Sequence, residues 1–316
     1  MILAGFFNAV SACLVLLMLM SVGYIMGRWG WMTAREKGFV SKYIVNIAVP
    51  CNCIVGLLNN LDHDSLASAG WMLAAGLSSI GITLLISMGV ATLLHLPRER
   101  WGVFVAMAAF SNTLFIGIPV CTQLFGDACM PYLMVYYLSN TSFLQSVGFL
   151  LIEYSGSVRK ERTTVLGFLK NVFVKPPILG VIFAICMLLL DLSLPDPLMR
   201  FAGYVSDSVT PLALIYRGFI VYEVGLRNLR PMQGHMTMLL MRLVCAPAVC
   251  LCFCSLFGMT GLARDTFAVE SALPVVSQIT VISGAYGADE KYAATGSCLS
   301  IFASCITLPI LMLILG

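Results

Sequence analysis

Apolar residues in this chain fall in long blocks. Residues 6–27 run without one charged side chain, and so do residues 102–125. Crossing a hydrocarbon core of roughly 30 Å takes about 20 helical residues, so each block reads as a membrane-spanning helix. Block length and breaker residues predict ten spans: 6–27, 38–58, 71–94, 101–124, 131–153, 176–193, 201–222, 236–257, 266–286 and 291–315. Short polar connections join them. The longest, 154–175, is expected to be a cytoplasmic loop between two five-helix halves, 1–153 and 176–316.

Composition agrees with this pattern. The 316 residues are 59% hydrophobic and 10% charged, where a soluble domain carries about 25% charged residues. No Lys or Arg precedes Arg28, so the first block lacks the basic start of a secretory signal and is expected to remain as a helix. Too few polar residues lie between the spans for a separate soluble domain. Most of the 12 cysteines lie within apolar spans, where a thiol behaves as a small hydrophobe. Cys250 and Cys254 would share a helix face while Cys252 points elsewhere, and no His or carboxylate lies near enough for a zinc site. No metal and no cofactor is expected.

Basic residues set the orientation, because cytoplasmic loops retain Lys and Arg. Alternate connections hold Arg28, Arg35, Lys37, Arg98, Arg100, Arg159, Lys160, Arg162, Lys170, Lys175, Arg227, Arg230 and Lys291; the opposite ones hold only Arg200 and Arg264. Both termini are therefore expected outside. Trp29, Trp31, Trp71 and Trp101 stand at span edges, where indole prefers the interface.

Five helices per half would turn the second half upside down relative to the first. Weak echoes at one offset support such an inverted repeat: Pro50 and Pro211, Gly126 and Gly287, and Ser139 and Ser300 are each 161 residues apart. In the fourth span, Ser111-Asn112-Thr113 precedes Gly117 and Pro119 in mid-membrane; in the ninth, Pro274 precedes Ser277 and Gln278. Gly117 and Pro119 are expected to interrupt the first helix and Pro274 the second, since proline removes a backbone donor. Interrupted helices at corresponding places in two halves point to a transporter site at the midplane. Their half-helix N-termini would favour an anion, with Asn112, Thr113, Ser277 and Gln278 as hydrogen-bonding groups. Two proline kinks tolerated for packing are the competing reading.

These motifs, in their order and spacing, resemble the auxin efflux carriers and their bacterial relatives over nearly the whole chain. The resemblance is carried by Lys42-Tyr43-Ile44-Val45-Asn46-Ile47-Ala48-Val49-Pro50, Ser111-Asn112-Thr113 with Gly117-Ile118-Pro119, Pro176-Pro177-Ile178-Leu179-Gly180, Pro211-Leu212-Ala213-Leu214, Glu270-Ser271-Ala272-Leu273-Pro274 and Thr307-Leu308-Pro309. It implies an all-α integral membrane fold whose fourth and ninth helices cross at their breaks. It also implies alternating access, organic anion substrates, a cell-membrane location (the inner membrane in bacteria) and a homodimer. The substrate is auxin in plants, and malate or malonate among bacterial relatives. Asn112 would touch substrate, and the regions of Pro119 and Pro274 would form the crossover. The long regulatory loop of many plant members is replaced here by 154–175.

Three ionisable residues are candidates for function. Arg217 lies well inside the seventh span, where a charge costs roughly 2.5–3.5 kcal/mol on insertion scales. It either clamps a substrate carboxylate, or snorkels, or pairs with Glu223 or Glu270. Glu270, one turn before Pro274, is a candidate proton or sodium site, or a hydrated structural carboxylate near the outer interface. Asp207 stands at the repeat position of Asn46 and is a weaker candidate for ion coupling.

The leading expectation is a secondary transporter for a small organic anion, a mono- or dicarboxylate. A sodium-coupled symporter of the bile-acid type and a non-transporting membrane sensor are the alternatives. An enzyme is not expected: His-Glu-x-x-His, Gly-x-Ser-x-Gly and phosphate-loop motifs are missing, and His63, His95 and His235 are scattered. Nothing points to nucleic acid. Membrane lipids surround the spans.

Overall fold

The computed structural model describes residues 2–59, 70–157, 176–225 and 230–315. These residues are helical apart from short connections and one isolated antiparallel bridge. The chain opens with a 27-residue helix, Ile2–Arg28, and closes with a 26-residue helix, Glu290–Leu315. Among the described residues, Ala34–Leu58, Gly70–Leu93 and His235–Leu256 are each long and apolar enough to cross a membrane.

The helices face the wrong way round for a water-soluble bundle. On the last helix Phe302, Ile306 and Ile310, one turn apart, are all at least half exposed. Leu85 and Leu93 are exposed on Gly70–Leu93, while Ser79, Thr83 and Ser87 of the same helix are buried. Each of those hydroxyls donates to the preceding turn: Thr83 Oγ1 to the Ser79 carbonyl at 2.8 Å and Ser87 Oγ to Thr83 at 2.7 Å. An apolar outside with internally satisfied polar groups is what hydrocarbon solvent demands.

Proline and glycine shape the scaffold. The seventh predicted span is two helices, Asp196–Asp207 and Val209–Val224, hinged at Ser208. Pro211 causes this without standing at the hinge, because its missing N–H frees the carbonyl four residues earlier, that of Asp207. Gly23 lies so close to the Ile215 carbonyl, and Gly218 to that of Met20, that neither leaves room for a Cβ. Ile2–Arg28 therefore packs backbone to backbone on Val209–Val224. Gly27 meets Tyr222 in the same interface, so the Gly23-x-x-x-Gly27 pair serves internal packing. Ala34–Leu58 joins this scaffold through Asn52, which donates to Ser206 Oγ at 3.0 Å. Cys250 and Cys254 are buried and Cys252 exposed, as one helix face requires.

Candidate functional site: a crossing of two broken helices

Two helices stop and restart inside the protein. The first runs Arg98–Ala109, then resumes as a π turn at Thr113–Gly117 and the helix Ile118–Phe125. The second runs Gly261–Ser271 and resumes at Gln278–Tyr286. The gaps cross as an antiparallel pair, Ser111 against Val275. Asn112 N–H donates to the Pro274 carbonyl at 3.0 Å, and Val276 N–H to that of Phe110 at 3.4 Å. Ser111 and Val275 are 164 positions apart (275 − 111), three more than the 161 kept by Pro50 and Pro211.

Side chains supply the remaining bonds. The Asn140 amide clasps Ser111 at both ends: Nδ2 donates to the Ser111 carbonyl at 3.0 Å, and Oδ1 accepts from its N–H at 3.3 Å. Ser300 Oγ accepts from Val275 N–H at 3.1 Å. A backbone group left unsatisfied in lipid costs several kcal/mol, so these two side chains make irregular backbone tolerable at this depth. Neither was a candidate from sequence, because nothing local marks a side chain whose partner lies 29 or 25 positions away.

The first interruption is not where the glycine and proline predict it. Phe110 is extended, at φ −108° and ψ 125°, whereas Gly117 and Pro119 both lie in helical segments. Pro119 lies within the helical run that continues from the π turn Thr113–Gly117 into Ile118–Phe125, so its missing N–H loosens that run without ending it. Gly117 has a different task. The Glu270 carboxyl fills the space a Cβ would need. In the second helix Pro274 does lie within the gap, as expected.

A polar cavity of about 20 Å³, room for about one water, lies against the crossing. Asn112, Thr113 and Gln278 line it with Asn52, Asn140 and Gln145. Gln145 Nε2 donates to Gln278 Oε1 at 3.2 Å. The N-terminal ends of both resumed helices border this cavity, and its lining carries no charge. Ser277 is buried in the second gap but is not part of that lining.

Charge enters from other directions. Arg217 is fully buried and donates through one terminal nitrogen to the Val276 carbonyl at 3.4 Å; its Nε and other terminal nitrogen have no partner among the described residues. It neither snorkels nor pairs with Glu223, which binds Lys37 at 2.9 Å. It reaches the second gap without lining the amide cavity. Glu270 is also fully buried: Oε1 accepts from Cys121 Sγ at 3.4 Å and Oε2 has no partner among the described residues. Burial rules out the hydrated position near the outer interface. Asp207 is exposed at the end of Asp196–Asp207 and does not line the amide cavity.

A second space, a cleft of about 400 Å³, opens between Lys37, Ser41, Lys42 and Asn46 on one wall and Gly284, Tyr286 and Glu290 on the other. Lys37 Nζ bridges it to Glu290 at 2.8 Å, and Tyr216 O–H donates to the same carboxylate at 2.8 Å.

Paired interruptions crossing among lipid-facing helices define a membrane transport protein, and comparison with known proteins agrees. The membrane transport protein family matches residues 8–312, and the chain belongs to this family, that of the auxin efflux carriers. It is 24% identical to an uncharacterized transporter of Methanothermobacter thermautotrophicus, over 98% of this chain and 99% of that one. It is 20% identical to an uncharacterized transporter of Methanocaldococcus jannaschii, over 89% and 91% respectively. Its place is in a membrane.

Proposed function

We propose that the protein is a secondary carrier of a small organic anion, a mono- or dicarboxylate of the malate or malonate type. The observation that carries this reading is the antiparallel crossing of the gaps, with Asn112 N–H on the Pro274 carbonyl. It leaves two half-helix N-termini, each worth roughly half a positive charge, beside an amide-lined cavity. Arg217, with two unpartnered donors at the second gap, adds the full charge that a carboxylate requires. Asn112, Thr113, Ser277 and Gln278 supply neutral hydrogen bonds. The two halves act as inverted repeats, and the crossed helices rock against a scaffold containing Ala34–Leu58 and Val209–Val224. The cleft at Lys37 and Glu290 is the vestibule on the cytoplasmic side, with both termini outside.

The test is thermal stabilisation of the purified protein by small carboxylates, beside Asn112→Ala. A ligand at a hundred times its Kd stabilises by about 2.7 kcal/mol. A shift with malonate or malate that Asn112→Ala abolishes supports the reading; a shift only with sodium or an uncharged solute sinks it.

Glu270 favours one refinement, coupling to a proton or sodium ion. A fully buried carboxyl with an unpartnered oxygen, held against Gly117 of the other broken helix, is a candidate cation site at the crossing. Uptake that Glu270→Gln leaves equally dependent on proton and sodium gradients would remove it.

A further inference from the structure

Arg242 is fully buried, and neither the cavity nor the Arg217 site uses it. It lies on a π turn, Met241–Cys245, in the helical segment between His235–Leu240 and Ala246–Leu256. One terminal nitrogen donates to the Ala108 carbonyl at 3.4 Å, and the other to the Ser271 carbonyl. Ala108 and Ser271 belong to the last turns of Arg98–Ala109 and Gly261–Ser271, the two half-helices that run into the crossing. One guanidinium thus spans the C-terminal ends of both broken helices.

The electrostatics of the arrangement balance. Each helix C-terminus carries roughly −0.5 elementary charge and leaves carbonyls without intrahelical partners. Two such ends facing one point amount to about one negative charge, matched by the single positive charge of Arg242. Without it, the convergent negative ends would oppose an anion at the N-terminal ends a few residues on. A planar fork with donors on both terminal nitrogens neutralises and ties two carbonyls from different helices at once, where a single ammonium would supply the charge without the tie.

We infer that Arg242 is a positioning residue: it neutralises and ties together the C-terminal halves of both broken helices, and so fixes the crossing that presents the binding site. The exchange readout of its test does not depend on the substrate assignment; the uptake readout rests on the carboxylate reading.

The experiment is hydrogen exchange of the full chain in lipid nanodiscs, comparing the native protein with Arg242→Met and Arg242→Lys. The amides of Asn112 and Val276, which bond across the crossing, are expected to exchange at least about tenfold faster in Arg242→Met, the scale of one charge-assisted hydrogen bond. Amides in Gly70–Leu93 stay as slow as in the native protein, and Arg242→Lys recovers part of the protection. Unchanged exchange at Asn112 and Val276 overturns the inference, as does acceleration spread evenly along the chain or a Lys variant no better than Met. Should Arg242→Met not fold, Arg242→Gln takes its place with the same outcomes. In proteoliposomes, the KM for malonate is expected to rise by about tenfold in Arg242→Gln and to return toward native in Arg242→Lys. If the native protein carries no malonate, the carboxylate reading fails and the exchange result still decides the role of Arg242.

Discussion

The two gaps meet as partners in one antiparallel pair, yet they are built differently. At the first, Asn140 satisfies both backbone groups of Ser111, and the interruption contains no proline or glycine. At the second, Pro274 removes one donor outright and Ser300 satisfies one more. The first gap is neutral and amide-rich; the full charges come from the second half of the chain, in Arg217, Arg242 and Glu270. The lesson is that backbone geometry and chemistry are separable here. Two stretches adopt one pairing for different local reasons, and that leaves one side free to specialise in hydrogen bonding and the other in charge.

The sharpest way to break this comparison is Arg217→Met. Removing the unpartnered buried cation is expected to weaken malonate binding by about 2–5 kcal/mol, at least thirtyfold, seen as a raised Kd in titration calorimetry. An unchanged Kd would mean that the second gap is no more specialised for charge than the first. Comparable in size, but read in stability, is Asn140→Ala. It strands a buried N–H and a buried carbonyl together, at about 1–3 kcal/mol each, and is expected to lower the midpoint of thermal unfolding. Ser300→Ala strands one N–H and should cost about half as much. Equal losses would contradict the different construction of the two gaps. Gly117→Ala should follow at about 1–3 kcal/mol, because the new methyl must displace the Glu270 carboxyl. Its stability loss should shrink when combined with Glu270→Ala, the signature of direct contact in a double-mutant cycle.

A smaller effect is expected at the mouth of the cleft. Lys37 is partly exposed and shared between Glu223 and Glu290, and such pairs are worth about 0–1 kcal/mol. Lys37→Met should therefore leave the unfolding midpoint nearly unchanged. What it should change is labelling by a membrane-impermeant thiol reagent of a cysteine introduced at Ser41, in the cleft wall, because the bridge from Lys37 to Glu290 is lost. Unaltered labelling would show that this bridge does not control the opening.

Much of the fold was legible without coordinates. Blocks such as 102–125 and the polar connections mark spanning helices because lipid imposes a length and forbids exposed backbone. Pro274 marked its gap because a missing N–H is a local fact. Arg217 and Glu270 stood out because charge in an apolar run is costly wherever the chain goes.

Other features had no local signature. Gly117 and Pro119 suggested a gap at the wrong place: the helical run continues through both by way of a π turn, and the real interruption at Phe110–Asn112 is maintained by Asn140 and by the opposing gap. Nothing in the residues around Arg242 shows that two helix ends meet on its guanidinium. Sequence alone determined that the chain lives in a membrane, where its helices run and which residues are too costly to bury idly. Tertiary structure decided what those residues face and where the helices break, because hydrogen bonds between positions far apart in the chain depend on how the whole chain packs.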